Sequence, residues 1–200
     1  MMTRSYCLVF LGVLLVGCAG SPSKNLSETD AVPQKRQAVK TEPLTDAQQA
    51  QMESAREALD LENWASARSV LEALKTQRPK VSEIHAYLGW VARQQGEKEG
   101  AIEAYRTAFD LDPYDAVSAN NLALLLREQG KFQAAVSLLQ EGLEYSPNVA
   151  DLHYNLAVIA ELYLLDLELA LRHYRAFREL NGQDSQQVAG WIADLERRLN

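Results

Sequence analysis

The side chains with which this chain of 200 residues could hold a metal, form a covalent bond or pass a proton are three histidines and two cysteines, set among 27 acidic residues. His85 and His153 lie 68 positions apart, and His173 follows 20 later. None has a second histidine at i+4 with a glutamate between them, the spacing that turns two imidazoles toward zinc from one helix face. No glycine-rich phosphate loop follows a strand, and no Gly-x-Ser-x-Gly turn occurs. The carboxylates are spread over polar helix faces, whereas a pair working as general acid and base needs a closed pocket. No catalytic residue, metal site or cofactor is therefore expected. Cys7 and Cys18 both fall within the first twenty residues, so nothing beyond them can be disulfide-bonded or hold zinc through thiolates.

Cys18 is set apart by what precedes it. Met1 to Tyr6 carries one positive side chain, Arg4, and leads into the apolar run Cys7 to Val16 and the small residue Gly17. That is the layout of a secretory signal, 1–17. The run is about half of the ~20 residues that span a bilayer as a helix. Leu15-Val16-Gly17-Cys18 resembles the lipobox of bacterial lipoproteins. The resemblance implies diacylglycerol on the Cys18 thiol, cleavage before Cys18 and acylation of the new amine. At ~0.8 kcal/mol per buried methylene, such chains anchor a protein stably. Ala19, rather than aspartate, follows the cysteine, which by the same resemblance implies sorting to the outer membrane, on its periplasmic face in a Gram-negative host.

Residues 18–44 read as the lipidated cysteine and a flexible linker. From Ala19 to Leu44 there are three prolines and no aromatic residue, and such a segment buries too little apolar area to order itself. A coil of this length spans about 28 Å. The net charge of −7 argues against a nucleic-acid partner, which requires a basic face to displace counterions from phosphates.

From residue 45 the chain repeats itself every 34 residues. Small residues recur at Ala55, Gly89, Ala123 and Ala157, and again at Ala67, Ala101, Ala135 and, one residue late, Ala170. They permit the 8 to 10 Å approach of packed helices. Leu71, Tyr105, Leu139 and Tyr174 recur as fillers between hairpins. Pro79, Pro113 and Pro147 close repeats, Gly96 and Gly130 make internal turns, and Thr45 with Gln48 forms a capping box. The pattern resembles the tetratricopeptide repeat, most clearly where Leu88-Gly89, Gly96, Ala101 and Pro113 return as Leu122-Ala123, Gly130, Ala135 and Pro147. The fold expected is all-α, a superhelix of about four helical hairpins over 45–183, with repeats near 48–81, 82–115, 116–149 and 150–183. The first repeat departs with Ser54 and Glu62 in place of Leu88 and Gly96, and the fourth has an extra residue near Leu164 to Asp166. Over 184–200 a capping helix is expected, with Asp184 or Ser185 as N-cap and Val188, Trp191, Ile192, Leu195 and Leu199 on one face. The alternative is that Trp191 docks a partner or membrane.

In the family it resembles, first helices line the concave side, and residues 34 apart lie side by side there. Trp90, Leu124 and Val158 then form an apolar row, Tyr87, Asn121 and Asn155 a mainly polar one, and Arg93, Arg127 and Glu161 a charged one, with Ala86, Asn120 and Tyr154 between them. The asparagines fit either helix-to-helix hydrogen bonding or a ligand. Trp90 and the arginines have the composition of a binding hot spot. The resemblance implies a scaffold that captures a protein or peptide segment in the groove and binds no small-molecule substrate. It is similar to small lipoproteins that assist type IV pilus secretins or gliding and secretion assemblies. An adaptor for peptidoglycan enzymes is the second reading, and a periplasmic enzyme the third.

Overall fold

Reciprocal hydrogen bonds start the first helix: the Gln48 backbone N–H donates to Thr45 Oγ1 (3.3 Å) while the Thr45 N–H donates to Gln48 Oε1 (3.1 Å). From this cap α1 runs over Asp46–Asp60. The computed structural model describes residues 35–181 and 186–200. In these the chain continues as α2 (Trp64–Gln77), α3 (Ser82–Gln94), α4 (Lys98–Leu111), α5 (Ala116–Glu128), α6 (Phe132–Tyr145), α7 (Ala150–Ile159), α8 (Leu167–Asn181) and α9 (Gln186–Leu199). Each odd helix pairs with the next to make four hairpins, and each even helix packs on the first helix of the following unit, ending with α8 on α9. The expected N-caps of α9, Asp184 and Ser185, lie outside the described residues.

Small residues sit where helices cross. Ala55, Ala123 and Ala157 are fully buried, as are Ala67, Ala101, Ala135 and Ala170. At Gly89 a Cβ would stand 2.8 Å from the Tyr105 ring, so the tyrosine fills the place that alanine takes in other repeats. Leu71, Tyr105, Leu139 and Tyr174 are each at most 2% exposed.

The four hairpin turns share one solution. A residue in the left-handed region ends each first helix: Glu62 (φ 54°), Gly96 (77°), Gly130 (73°) and Leu165 (56°). The following N–H then reaches back to an otherwise unpaired helical carbonyl: Asn63 to Ala58 (2.8 Å), Glu97 to Ala92 (2.9 Å) and Lys131 to Leu126 (2.9 Å). In the fourth hairpin the bond runs from Asp166 to Ala160 (2.9 Å), one residue longer. The extra residue read from the sequence is absorbed there as a π-helical turn, Ala160–Leu164. Asn63, Asp115 and Asp166 cap the helices that follow them, accepting from the backbone N–H of Ser66, Ser118 and Leu169.

The linker expected over 18–44 ends differently. Residues 35–44 have no helical structure, yet they are bonded across the C-terminal ends of three second helices. Lys35 donates to the Glu144 carbonyl (2.6 Å), and Arg36 bonds Glu141 (2.6 Å), Asp110 (3.0 Å) and, through its backbone N–H, the Tyr145 hydroxyl. The Val39 N–H donates to the Leu111 carbonyl (2.7 Å), and Arg78 holds the carbonyls of Glu42 and Pro43. A flexible tether over 35–44 is therefore corrected to a strap. Lys35 and the Val39 N–H meet carbonyls at helix ends, Arg36 meets carboxylates, Arg78 holds the strap's own carbonyls, and Leu44 packs on the first core cluster, so its ordering is mainly polar.

At the far end, α9 buries Val188, Ile192 and Leu195 and half-buries Trp191, but Leu199, expected on the same face, is 41% exposed. Among the described residues no helix is long and apolar enough to cross a membrane.

Candidate partner-binding groove

Helices α3, α5 and α7 carry the rows read from the sequence, with Glu161 in the π-helical turn after α7, and hydrogen bonds run between these helices. Arg93 of α3 donates to Asn121 Oδ1 of α5 (2.7 Å), and Asn121 Nδ2 donates in turn to the Val117 carbonyl (3.0 Å). Asn155 of α7 donates to Asn120 Oδ1 (2.7 Å). Of the two roles open to them, the asparagines take helix-to-helix bonding here. Tyr87 accepts through its hydroxyl from Arg56 Nε (3.1 Å), and Arg56 also binds Glu83 (2.6 Å) and Glu53 (3.0 Å). These bonds keep the Arg56 guanidinium firmly charged.

Between α3 and α5 the face opens into a cleft of about 260 Å³ lined by Ala86, Tyr87, Trp90, Tyr105, Val117 and Asn121. Tyr105 forms its floor. Burial pushes that hydroxyl up to about 12, so it stays neutral. Val117 is 68% exposed at the cleft rim. Leu124 is half-buried one turn beyond Asn121 on the same helix.

Several sequence expectations are revised by this geometry. Trp90 is a wall rather than a free anchor: it is half-buried, packs against both core clusters and meets Trp64 edge-to-face at 5.8 Å. Truncating it removes core packing as well as cleft surface. Tyr154 belongs to an aromatic nest with Tyr174, Phe177 and Trp191 that fixes α9, which makes Trp191 part of the cap. Val158 is likewise half-buried against the core. Glu161 is taken by Tyr174 (3.1 Å) and Arg198 (3.4 Å). Arg93, already on Asn121, lies 3.9 Å from Glu128, and Lys98 binds that carboxylate at 2.9 Å. The Lys98 hydrogen bond is the chief reason Glu128 titrates below the usual carboxylate range. Arg127 has no hydrogen-bond or ion-pair partner among the described residues.

The tetratricopeptide-repeat family matches residues 52–116 and again 116–146. Residues 52–146 are tetratricopeptide repeats. The chain is 33% identical over 141 residues to anaphase-promoting complex subunit 7 of Dictyostelium discoideum, covering 69% of this chain and 23% of that protein. It spans a quarter or less of the curated relatives it matches. Among solved structures it is similar to pilF of Pseudomonas aeruginosa (TM-score 0.65, 25% identity, 76% of this chain and 69% of that one). It also shares its fold with the first tetratricopeptide domain of Spaghetti (RPAP3) bound to the HSP90 peptide SRMEEVD (TM-score 0.53, 21% identity, 59% and 92%).

Within the tetratricopeptide array the histidines have structural partners. Taking the carbonyl as acceptor, His85 Nε2–H donates to Pro79 (2.8 Å) and His153 Nε2–H to Pro147 (2.9 Å), tying a first helix to the proline that closes the preceding repeat. His153 then has a bare Nδ1 and accepts from Nδ1–H of His173 at 2.8 Å. Three residues of this face, Tyr105, Val117 and Arg56, lie outside the rows expected from the sequence, which set Tyr105 as a filler between hairpins. Arg56 lies one period before Trp90 and would have appeared by extending that row backwards. Val117 stands in the first turn of α5, nearer the helix start than the rows that were drawn.

Proposed function

We propose that this chain is a non-catalytic scaffold, anchored by lipid on Cys18 to the periplasmic face of an outer membrane, that holds a segment of a partner protein in its concave groove. It thereby assists assembly of an envelope machine, of the pilus, secretion or gliding kind. The observation that carries the binding reading is the open cleft between α3 and α5: an aromatic-walled hollow on the inner face, with Val117 exposed at its rim. Aromatic walls with arginines nearby are the usual make-up of binding hot spots. A tetratricopeptide domain of the same fold holds a peptide in RPAP3. The anchor reading rests on the Leu15-Val16-Gly17-Cys18 motif.

Crosslinking in intact envelopes, followed by purification, tests both halves. The expected result is a co-purified secretin, pilus or secretion subunit, with the protein in the outer-membrane fraction. Cys18→Ser is expected to move it to the soluble periplasmic fraction. Unchanged membrane pelleting of Cys18→Ser would sink the anchor, and recovery of peptidoglycan hydrolases instead would turn the scaffold reading toward their adaptor.

A further inference from the structure

The arginines that the sequence places on the inner face are not equivalent. Arg56 and Arg93 are consumed by neighbours, and the carboxylates Glu83, Glu128 and Glu161 are each bonded to a cation. Arg127, half-buried in the last turn of α5, is left with no hydrogen-bond or ion-pair partner among the described residues. On the same helix, towards its start, Val117 and Asn121 bound the apolar cleft, and Leu124 lies between the cleft and Arg127. To Arg127 the helix rises about 9 Å from Asn121 and about 15 Å from Val117, distances that an extended segment covers in about three to five residues.

Resting on the groove reading above, we propose that the partner is an extended peptide segment with one large apolar side chain and one acidic side chain about three to five residues apart. The apolar side chain fills the cleft against Trp90, Tyr105 and Val117, and the carboxylate pairs with Arg127. Charge complementarity selects the acid: among the described residues Arg127 makes no hydrogen bond or ion pair and is only weakly attracted to Glu128, whose carboxylate Lys98 holds, and a guanidinium pairs a carboxylate through two parallel hydrogen bonds. The cleft's 260 Å³ suits a leucine or an aromatic ring. Leu124 contacts the intervening residues, so their identity matters less than the spacing.

The test uses the full-length chain and a phage library of random twelve-residue peptides. The expected result is enrichment of peptides carrying Leu, Phe, Tyr or Trp about three to five positions from Asp or Glu. Synthetic versions, titrated by fluorescence anisotropy, are expected to lose at least tenfold in affinity against Val117→Glu and against Arg127→Glu. Exchanging the peptide's acid for lysine is expected to recover binding to Arg127→Glu. Both positions are solvent-accessible, and circular dichroism verifies that the helices remain. Enriched peptides that lack the pair, or that bind Arg127→Glu as well as the parent, overturn this inference while leaving the groove reading standing. Failure to enrich any peptide overturns both.

Discussion

Two side chains sit where their chemistry is least suited. Glu62 and Leu165 take the left-handed backbone that Gly96 and Gly130 adopt in the middle repeats. For an L-residue this conformation costs about 1 to 2 kcal/mol, part of which glycine gives back through its freedom in the unfolded chain. Glu62→Gly is therefore expected to raise unfolding stability by about 1 kcal/mol in urea titration, and an unchanged midpoint would mean that the turn is not strained. The histidine pair has the opposite character. Burial, then His153, then Arg172 push the His173 imidazole down to about 4 from its ordinary 6.5. The folded state thus binds fewer protons than the unfolded state between those values, so the contribution is complete above pH 6.5 and lost as pH falls toward 4. The melting temperature is expected to fall over that window, and His173→Gln to fall less steeply than the parent. Parallel curves would contradict the assignment.

Among the elements, the strap was the least legible in the sequence. A 34-residue period exposes helices because their apolar faces must meet, and Ala123, Tyr105 or Pro113 could be placed from it alone. Residues 35–44 have no such face, and their order depends on where the ends of α2, α4 and α6 happen to line up. The π turn was half legible: the period showed one residue too many near Leu164, but not that it would leave Leu162 and Leu165 exposed at 62% and 73%. For the candidate groove, the period set Arg93 and Asn121 on adjacent first helices, where they bond, while burial of Trp90 depends on Trp64 from another repeat, which no single row shows. The strap makes its own prediction. Arg36 bonds Asp110 and Glu141, and its guanidinium lies 4.9 Å from the centre of the Phe109 ring. Exposed ion pairs contribute little, so Arg36→Ala is expected to cost only about 1 kcal/mol. Amide exchange should speed up at the C-terminal ends of α4 and α6. Unchanged exchange there would show that the strap does not brace the repeats.

At the scale of the whole molecule, stability and function use different faces. Each hairpin is held mainly by its neighbours, so an overpacked crossing should be felt along the array. Ala123 is fully buried in α5, and Ala123→Leu is expected to cost about 1 to 3 kcal/mol, read as a lower melting temperature with Trp90 and Tyr105 loosened in near-ultraviolet dichroism. A parent-like melting temperature would contradict the crossing. The strap joins the ends of the second helices, whereas the cleft walls, with Leu124 and Arg127, lie on α3 and α5 over a floor from Tyr105 of α4, so the strap does not line the cleft. The most direct measurement replaces single residues in intact cells with a photoreactive amino acid, at Val117 in the groove and at Gln140 on the exposed side of α6. Irradiation is expected to give a discrete adduct with one protein from position 117, abolished by Arg127→Glu, and none from position 140. An adduct from position 140 alone, or one from 117 that survives Arg127→Glu at full yield, would contradict a partner held in the groove as described.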